Sequence, residues 1–147
     1  MRPYFEKMAD FGRELKKGAL KRTDENVAQL RAVEAEVAQA VEKVKNAGFP
    51  TEKINARGQM TVWQRLEYLV EPGTWCPLHT LFNPLDNEEG TTNVVDGLGK
   101  ISGKWAVIVG FDNKVMAGAW LAGQSENILR VTDLAKRLNL PLVWLVN

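Results

Sequence analysis

The sequence predicts an α/β fold: an N-terminal helical arm followed by a layered β-β-α domain. Three observations carry this expectation. Apolar residues recur at steps of three and four between Asp24 and Asn46. Seven of the twelve glycines fall between Gly90 and Gly123, among β-branched residues. A helix-patterned segment then separates two strand-patterned runs, the order expected when a helix crosses over a sheet.

Each element follows from its local pattern. Phe5, Met8, Phe11 and Leu15 recur at helical spacing and suit a short amphipathic helix docked on a partner or on the rest of the fold. From about Asp24 to Asn46, Val27, Leu30, Val33, Val37, Val41 and Val44 form a one-sided seam that needs another surface to cover it. Gly48 and Pro50 end that helix, because glycine accepts a left-handed cap and proline cannot continue the hydrogen-bond ladder. Thr61 with Gln64 three residues on has capping-box spacing and opens a second helix, about Val62 to Val70, with Trp63, Leu66, Leu69 and Val70 on its buried face. Residues 1–73 are read as the arm and 74–90 as a connecting loop pinned by Trp75, Leu78, Leu81 and Phe82.

Residues 91–147 are read as the layered domain. Strands are expected at Val94–Ile101, Trp105–Phe111 and Lys114–Ala119, with turns at Ser102-Gly103 and Asp112-Asn113. A helix follows from about Ser125 to Leu138, capped by Asn139. The nearly all-apolar run Leu142 to Val146 then reads as an interior strand covered on both faces. Ligands of open α/β sheets bind at the carboxyl ends of the strands, so Asn147 sits where a ligand-binding loop is expected to continue the polypeptide.

Composition bounds the function. At 147 residues the chain has the size of one domain and should bury roughly 68–70% of its unfolded surface. With 45% hydrophobic and 25% charged residues, neither disorder nor a membrane span is suggested. A net charge of +1 excludes a strongly basic nucleic-acid binder, and Lys16, Lys17, Lys21 and Arg22 read as a solvated face. A lone cysteine, Cys76, excludes an internal disulfide framework, and no secretory signal opens the chain, so the cytoplasm is the expected compartment.

Tests for particular chemistries mostly fail. Cys76 and His79 lie three apart in a proline-bounded loop, but no third group orients them, so they are read as structural. One His and one Cys cannot supply a zinc set, so no metal site is expected. Gly97-Leu98-Gly99 falls inside a hairpin pattern, which argues against a dinucleotide fingerprint and for close backbone packing. Gly118-Ala119 and Gly123 admit two readings: small residues that let a flat or phosphorylated ligand approach the backbone near Lys114, or a plain strand-to-helix turn. No residue is assigned a catalytic role.

Three blocks, in order, resemble the biotin-dependent acyl-CoA carboxyltransferase subunits. The first is Ala56-Arg57-Gly58-Gln59-Met60-Thr61, continuing through Gln64-Arg65-Leu66 to Glu71-Pro72-Gly73-Thr74-Trp75. The second is Asp96-Gly97-Leu98-Gly99 with Gly103-Lys104, Val107-Ile108-Val109 and Asp112; the third is the helix from Ser125 with the strand Pro141-Leu142-Val143. Within that family Arg2-Pro3-Tyr4-Phe5, Leu81-Phe82-Asn83-Pro84 and Ala117-Gly118-Ala119-Trp120 resemble the glutaconyl-CoA decarboxylase branch, whereas acetyl- and propionyl-CoA carboxylase relatives tend to carry Gly-Gly-Ser near 118–120.

The resemblance implies a crotonase-like fold and transfer of a carboxylate from an acyl-CoA to biotin on a separate carrier subunit. Glutaconyl-CoA would give crotonyl-CoA, with the enolate held by backbone oxyanion holes in polypeptide beyond residue 147. It further implies a homo-oligomer working with the biotin carrier and with membrane decarboxylase subunits. Localisation would be cytoplasmic, peripheral to the membrane through those subunits. The expected CoA-binding residues are Lys114, Ala117, Gly118, Ala119 and Trp120, near the adenine and ribose. The alternatives are a non-catalytic assembly module, a self-contained CoA-binding domain, and the carboxyltransferase subunit of an acetyl- or propionyl-CoA carboxylase.

Overall fold

The computed structural model describes residues 23–146, so the Phe5–Leu15 stripe and Asn147 lie outside the described residues. The chain divides into two units, Met1–Glu36 and Val37–Asn147, and the boundary falls within the first helix. That helix, α1 (Thr23–Lys45), carries Val27, Leu30 and Val33 exposed in the first unit. In the second unit Val37 is exposed, whereas Val44 and Ala47 are buried. Gly48, with φ of 74°, turns the chain after α1, as its sequence position predicts.

The second unit is a four-stranded sheet between two helices. Its elements are α2 (Thr51–Asn55), α3 (Val62–Leu69), β1 (Cys76–Pro77), β2 (Val94–Ile101), β3 (Lys104–Phe111), α4 (Gln124–Leu138) and β4 (Leu142–Leu145). The strand order is β1-β2-β3-β4. β1 and β3 both run antiparallel to β2, with Val94 opposite Phe111, and β4 runs parallel to β3, with Val107 opposite Leu142. A parallel pair needs a crossover, and α4 supplies it.

Alternation along β3 explains the layers. Ala106 and Ile108 point to one face, where they meet Val62, Leu66 and Val70 of α3 and its cap. Val107, Val109 and Phe111 point to the other, against Ile128, Val131 and Ala135 of α4. Ile108 and Val107 are wholly inaccessible, and burying side chains of this size is worth about 1.5–3 kcal/mol each. Gly99 lets α3 press on the sheet, since a Cβ there would overlap the Val70 side chain. α3, assigned by sequence to the arm, therefore packs as a layer on the sheet. Its capping box forms as predicted: Thr61 Oγ1 accepts from the Gln64 amide at 3.3 Å while Gln64 Oε1 accepts from the Thr61 amide at 2.9 Å.

Three expectations need correction. Lys114–Ala119 is not a strand: Asp112 turns the chain, and Met116–Gly118 forms one turn of 3-10 helix through left-handed residues. A strand needs extended backbone at every residue, and Met116, Ala117 and Gly118 have φ of 48°, 56° and 77°. Among the described residues β4 lies at the end of the sheet rather than inside it, with Trp144 exposed. Its apolar run is covered by α4 and α3 only in part, through Leu142, Val143 and Leu145. Residues 74–90 are not wholly loop, since Cys76–Pro77 pairs with β2 through residues too few to leave a periodic pattern.

Candidate functional site

Residues 112–123, which follow the carboxyl end of β3, carry all five predicted site residues. Asp112 creates the first bend. Its Oδ1 accepts from the Lys114 amide at 2.9 Å, and its Oδ2 accepts from the Trp63 indole N–H at 3.0 Å. The Asp112 amide in turn donates to the Asn93 carbonyl at 2.8 Å. Burial pushes the Asp112 carboxyl above its ordinary range, and these donors partly offset the shift. An Asp two residues before the amide it accepts is a local turn-maker, which diverts the chain from the strand that Val115 would otherwise favour.

The bend passes into the left-handed turn 116–118. The Gly118 and Ala119 amides close it by donating to the Val115 and Met116 carbonyls, both at 3.0 Å. Two non-glycine residues in this conformation cost free energy, and such strain persists only where the surroundings hold it. Two buried amides hold it here. Asn93 Nδ2 donates to the carbonyls of Val115 at 3.4 Å and Ala119 at 3.0 Å. Gln124 Nε2 faces the carbonyls of Thr92 at 2.9 Å and Ala119 at 3.3 Å, and also Asn93 Oδ1. Neither amide reads as functional in the sequence, because an Asn before a strand and a Gln opening a helix are ordinary surface choices.

The five predicted residues do not act as one set. Lys114 is buried, and its Nζ donates to the Lys45 carbonyl at the end of α1. Its own carbonyl accepts from the Phe49 amide at 2.9 Å. Its charge therefore ties the end of α1 to the sheet, and its side chain lines the cleft beside Trp63 rather than the turn that carries the other four. Ala117, Gly118, Ala119 and Trp120 stay together on the turn. Trp120 is 65% exposed, and its ring centroid lies 6.3 Å from that of Phe111, which lies 6.1 Å from Trp144. The result is a small aromatic surface next to a backbone of small residues, suited to a flat ring and a narrow chain.

Two concavities flank this region. A cleft of about 780 Å³ lies among Trp63, Leu66, Val70, Trp75, Pro77 and Lys114. A shallower one of about 390 Å³ adjoins the tip of β4, where Gly58, Gln59, Met60, Arg65 and Asn113 meet Val146. Ala117 to Trp120 line neither. Arg65 Nη1 donates to the Val146 carbonyl at 3.2 Å, and Asn113 Nδ2 to the Met60 carbonyl at 3.0 Å, so the Arg57 to Met60 segment is fixed beside the strand tip.

His79 and Cys76 make no dyad. His79 Nδ1 lies 2.7 Å from Asp96 Oδ2, Asn127 Nδ2 donates to Asp96 Oδ1 at 3.3 Å, and Cys76 is exposed on β1. Burial raises the Asp96 carboxyl above its ordinary range, while the His79 hydrogen bond and charge and the Asn127 amide pull it back. Among the described residues no group of His, Cys, Asp and Glu side chains could hold a metal ion, and no helix is long and apolar enough to cross a membrane.

Residues 53–147 match the family described as Carboxyl transferase domain. The glutaconyl-CoA decarboxylase subunit alpha of Acidaminococcus fermentans is 46% identical over 98% of the chain. The chain spans 24% of that relative's length. Among solved structures, the transcarboxylase 12S hexamer with methylmalonyl-coenzyme A and methylmalonic acid bound is similar with a TM-score of 0.67 at 22% identity, covering 78% of this chain and 24% of that one. A single-chain, multi-domain long-chain acyl-CoA carboxylase also gives a TM-score of 0.67, at 24% identity over 77% of this chain and 13% of that one. These likenesses assign the crotonase-like fold expected from the sequence.

Proposed function

Because the chain belongs to the carboxyl transferase domain family, we propose that its polypeptide moves the carboxylate of glutaconyl-CoA to biotin on a separate carrier subunit. The observation that carries this reading is the 46% identity over 98% of the chain to the glutaconyl-CoA decarboxylase alpha subunit. The transfer balances. The C–C bond to the carboxylate breaks, a biotin N–C bond forms, and the proton leaving that nitrogen ends on the acyl carbon, giving crotonyl-CoA and carboxybiotin. Biotin is the acceptor substrate here, carried by another subunit.

Negative charge must be held on the thioester oxygen as the dienolate develops, and fixed backbone N–H donors in a dry site do this. This chain's own residues have a different task. In this reading Ala117 to Gly118 supply a close backbone wall for the CoA chain, and the exposed Trp120 ring, next to buried Phe111, supplies a stacking face for its adenine. Lys114 acts as a structural tie, consistent with its buried contact to Lys45. A homo-oligomer in the cytoplasm is the working form, meeting a membrane through decarboxylase subunits.

The test is glutaconyl-CoA-dependent carboxylation of free biotin by the complete polypeptide. Formation of carboxybiotin and crotonyl-CoA in equal amounts is expected. Crotonyl-CoA without carboxybiotin, or no turnover with glutaconyl-CoA, refutes the reading.

A further inference from the structure

The left-handed turn at 116–118 is held from beneath by two buried side-chain amides. Asn93 is wholly buried, sits at φ of 59°, and spends its amide N–H groups on the carbonyls that bracket the turn, Val115 and Ala119. Gln124 is equally buried, opens α4, and directs its amide to the carbonyls of Thr92 and Ala119 and to Asn93 Oδ1. The two groups come from either side of the β2–β3 hairpin, Asn93 just before β2 and Gln124 at the start of α4, 31 residues apart, and meet at the Ala119 carbonyl.

Buried amides are costly to desolvate; here both NH2 groups and Asn93 Oδ1 are paired, while Gln124 Oε1 has no partner among the described residues. A plain strand-to-helix connection could be closed by a glycine turn, without two buried amides and two non-glycine left-handed residues. Strain held in place by an over-determined support marks a backbone whose exact position matters.

We propose that Asn93 and Gln124 are positioning residues that fix the 116–119 backbone as the wall against which the nucleotide end of an acyl-CoA ester packs. This inference rests on the reading of Ala117 to Trp120 as CoA-binding residues. Neither side chain touches the ligand. Each acts by holding the Ala119 carbonyl, and with it the direction in which Trp120 leaves the turn. Specificity for the CoA portion then depends on amides lying under the surface that CoA meets.

The experiment is titration calorimetry of the complete polypeptide with free coenzyme A, joined to steady-state kinetics with glutaconyl-CoA and free biotin. Asn93→Gly removes the amide while easing the positive φ, so the backbone tolerates it. Gln124→Met keeps the length and removes the donor. Each removes buried donors that hold the turn in place, so coenzyme A affinity should fall about five- to tenfold. KM for glutaconyl-CoA should rise in parallel, with KM for biotin changed less than twofold.

Trp120→Ala separates this inference from the reading beneath it. If Trp120→Ala weakens coenzyme A binding and neither amide variant does, the positioning role is wrong and the binding surface stands. If coenzyme A does not bind the unsubstituted protein, the binding surface and the positioning role both fall. Equal changes in both KM values, or in kcat alone, would show a general loss of structure and overturn the positioning role. Should one amide variant fail to fold, the other decides.

Discussion

The β2–β3 hairpin and the segment that follows it, 112–123, are adjacent in sequence but held together by different forces. In the hairpin, eight residue pairs are in register from Val94–Phe111 to Ile101–Lys104, and alternate side chains of β3 fill two cores. In 112–123 the backbone leaves the ladder and is held by side chains: the Asp112 carboxylate, the Asn93 and Gln124 amides and the Lys114 ammonium. The hairpin is stabilised by area, which tolerates small shifts. The crossover is stabilised by directed polar contacts, which do not. A surface that must meet a ligand at fixed distances is better built the second way.

Substitutions sharpen this contrast. Ile108→Ala should cost about 4 kcal/mol in chemical denaturation, because it empties a wholly buried site between α3 and the sheet. A cost below about 1 kcal/mol would mean that the hairpin does not carry the core. Gly48→Ala should cost about 3 kcal/mol, since its φ of 74° is left-handed and a Cβ there would overlap the Lys114 carbonyl. A neutral outcome would show that the tie between the α1–α2 connection and the crossover is dispensable. Asp112→Ala should cost about 2 kcal/mol by leaving the Trp63 indole and the Lys114 amide without their acceptor.

The smallest effect concerns pH. Burial raises the Asp96 carboxyl above its ordinary 3.8, against opposition from His79 and Asn127, the polar groups that face it. A raised folded-state value means that the native protein binds the proton more tightly than the unfolded chain. The stabilisation is therefore complete below the ordinary value and is lost as pH climbs through the raised one. Asp96→Asn does not titrate there, so its melting temperature should gain on the native protein's between pH 4 and pH 7. A constant difference across that range would contradict the shift.

How much of this was legible follows from the same contrast. Helix α1, the Thr61–Gln64 capping box, the hairpin, α4 with its Asn139 cap and the strand after Pro141 all follow from periodicity or from residues a few positions apart, whereas the apolar seam of α1 stays exposed from Val27 to Val37. α2 was missed, being five residues long with Pro50 at its N-cap and no side-chain cap. The third strand was misread because Val115 and its small neighbours imitate a β pattern, while the turn is imposed by Asp112 and by amides far away in sequence. Lys114 looked like a ligand-facing cation, since nothing in sequence places Lys45 beside it. Asn93 and Gln124 left no local signal at all. Contacts across 31 residues become visible only once the β2–β3 pairing has brought the start of β2 beside the segment that follows β3.

In the proposed reading the hairpin is the scaffold and the 116–120 turn is the surface that meets CoA. Amide hydrogen exchange of the complete polypeptide, with and without saturating coenzyme A, tests it most directly. The account predicts added protection at residues 116–120 and unchanged exchange through β2 and β3. Protection confined to the hairpin, or to the cleft between Trp63 and Trp75 with 116–120 unaffected, would contradict it.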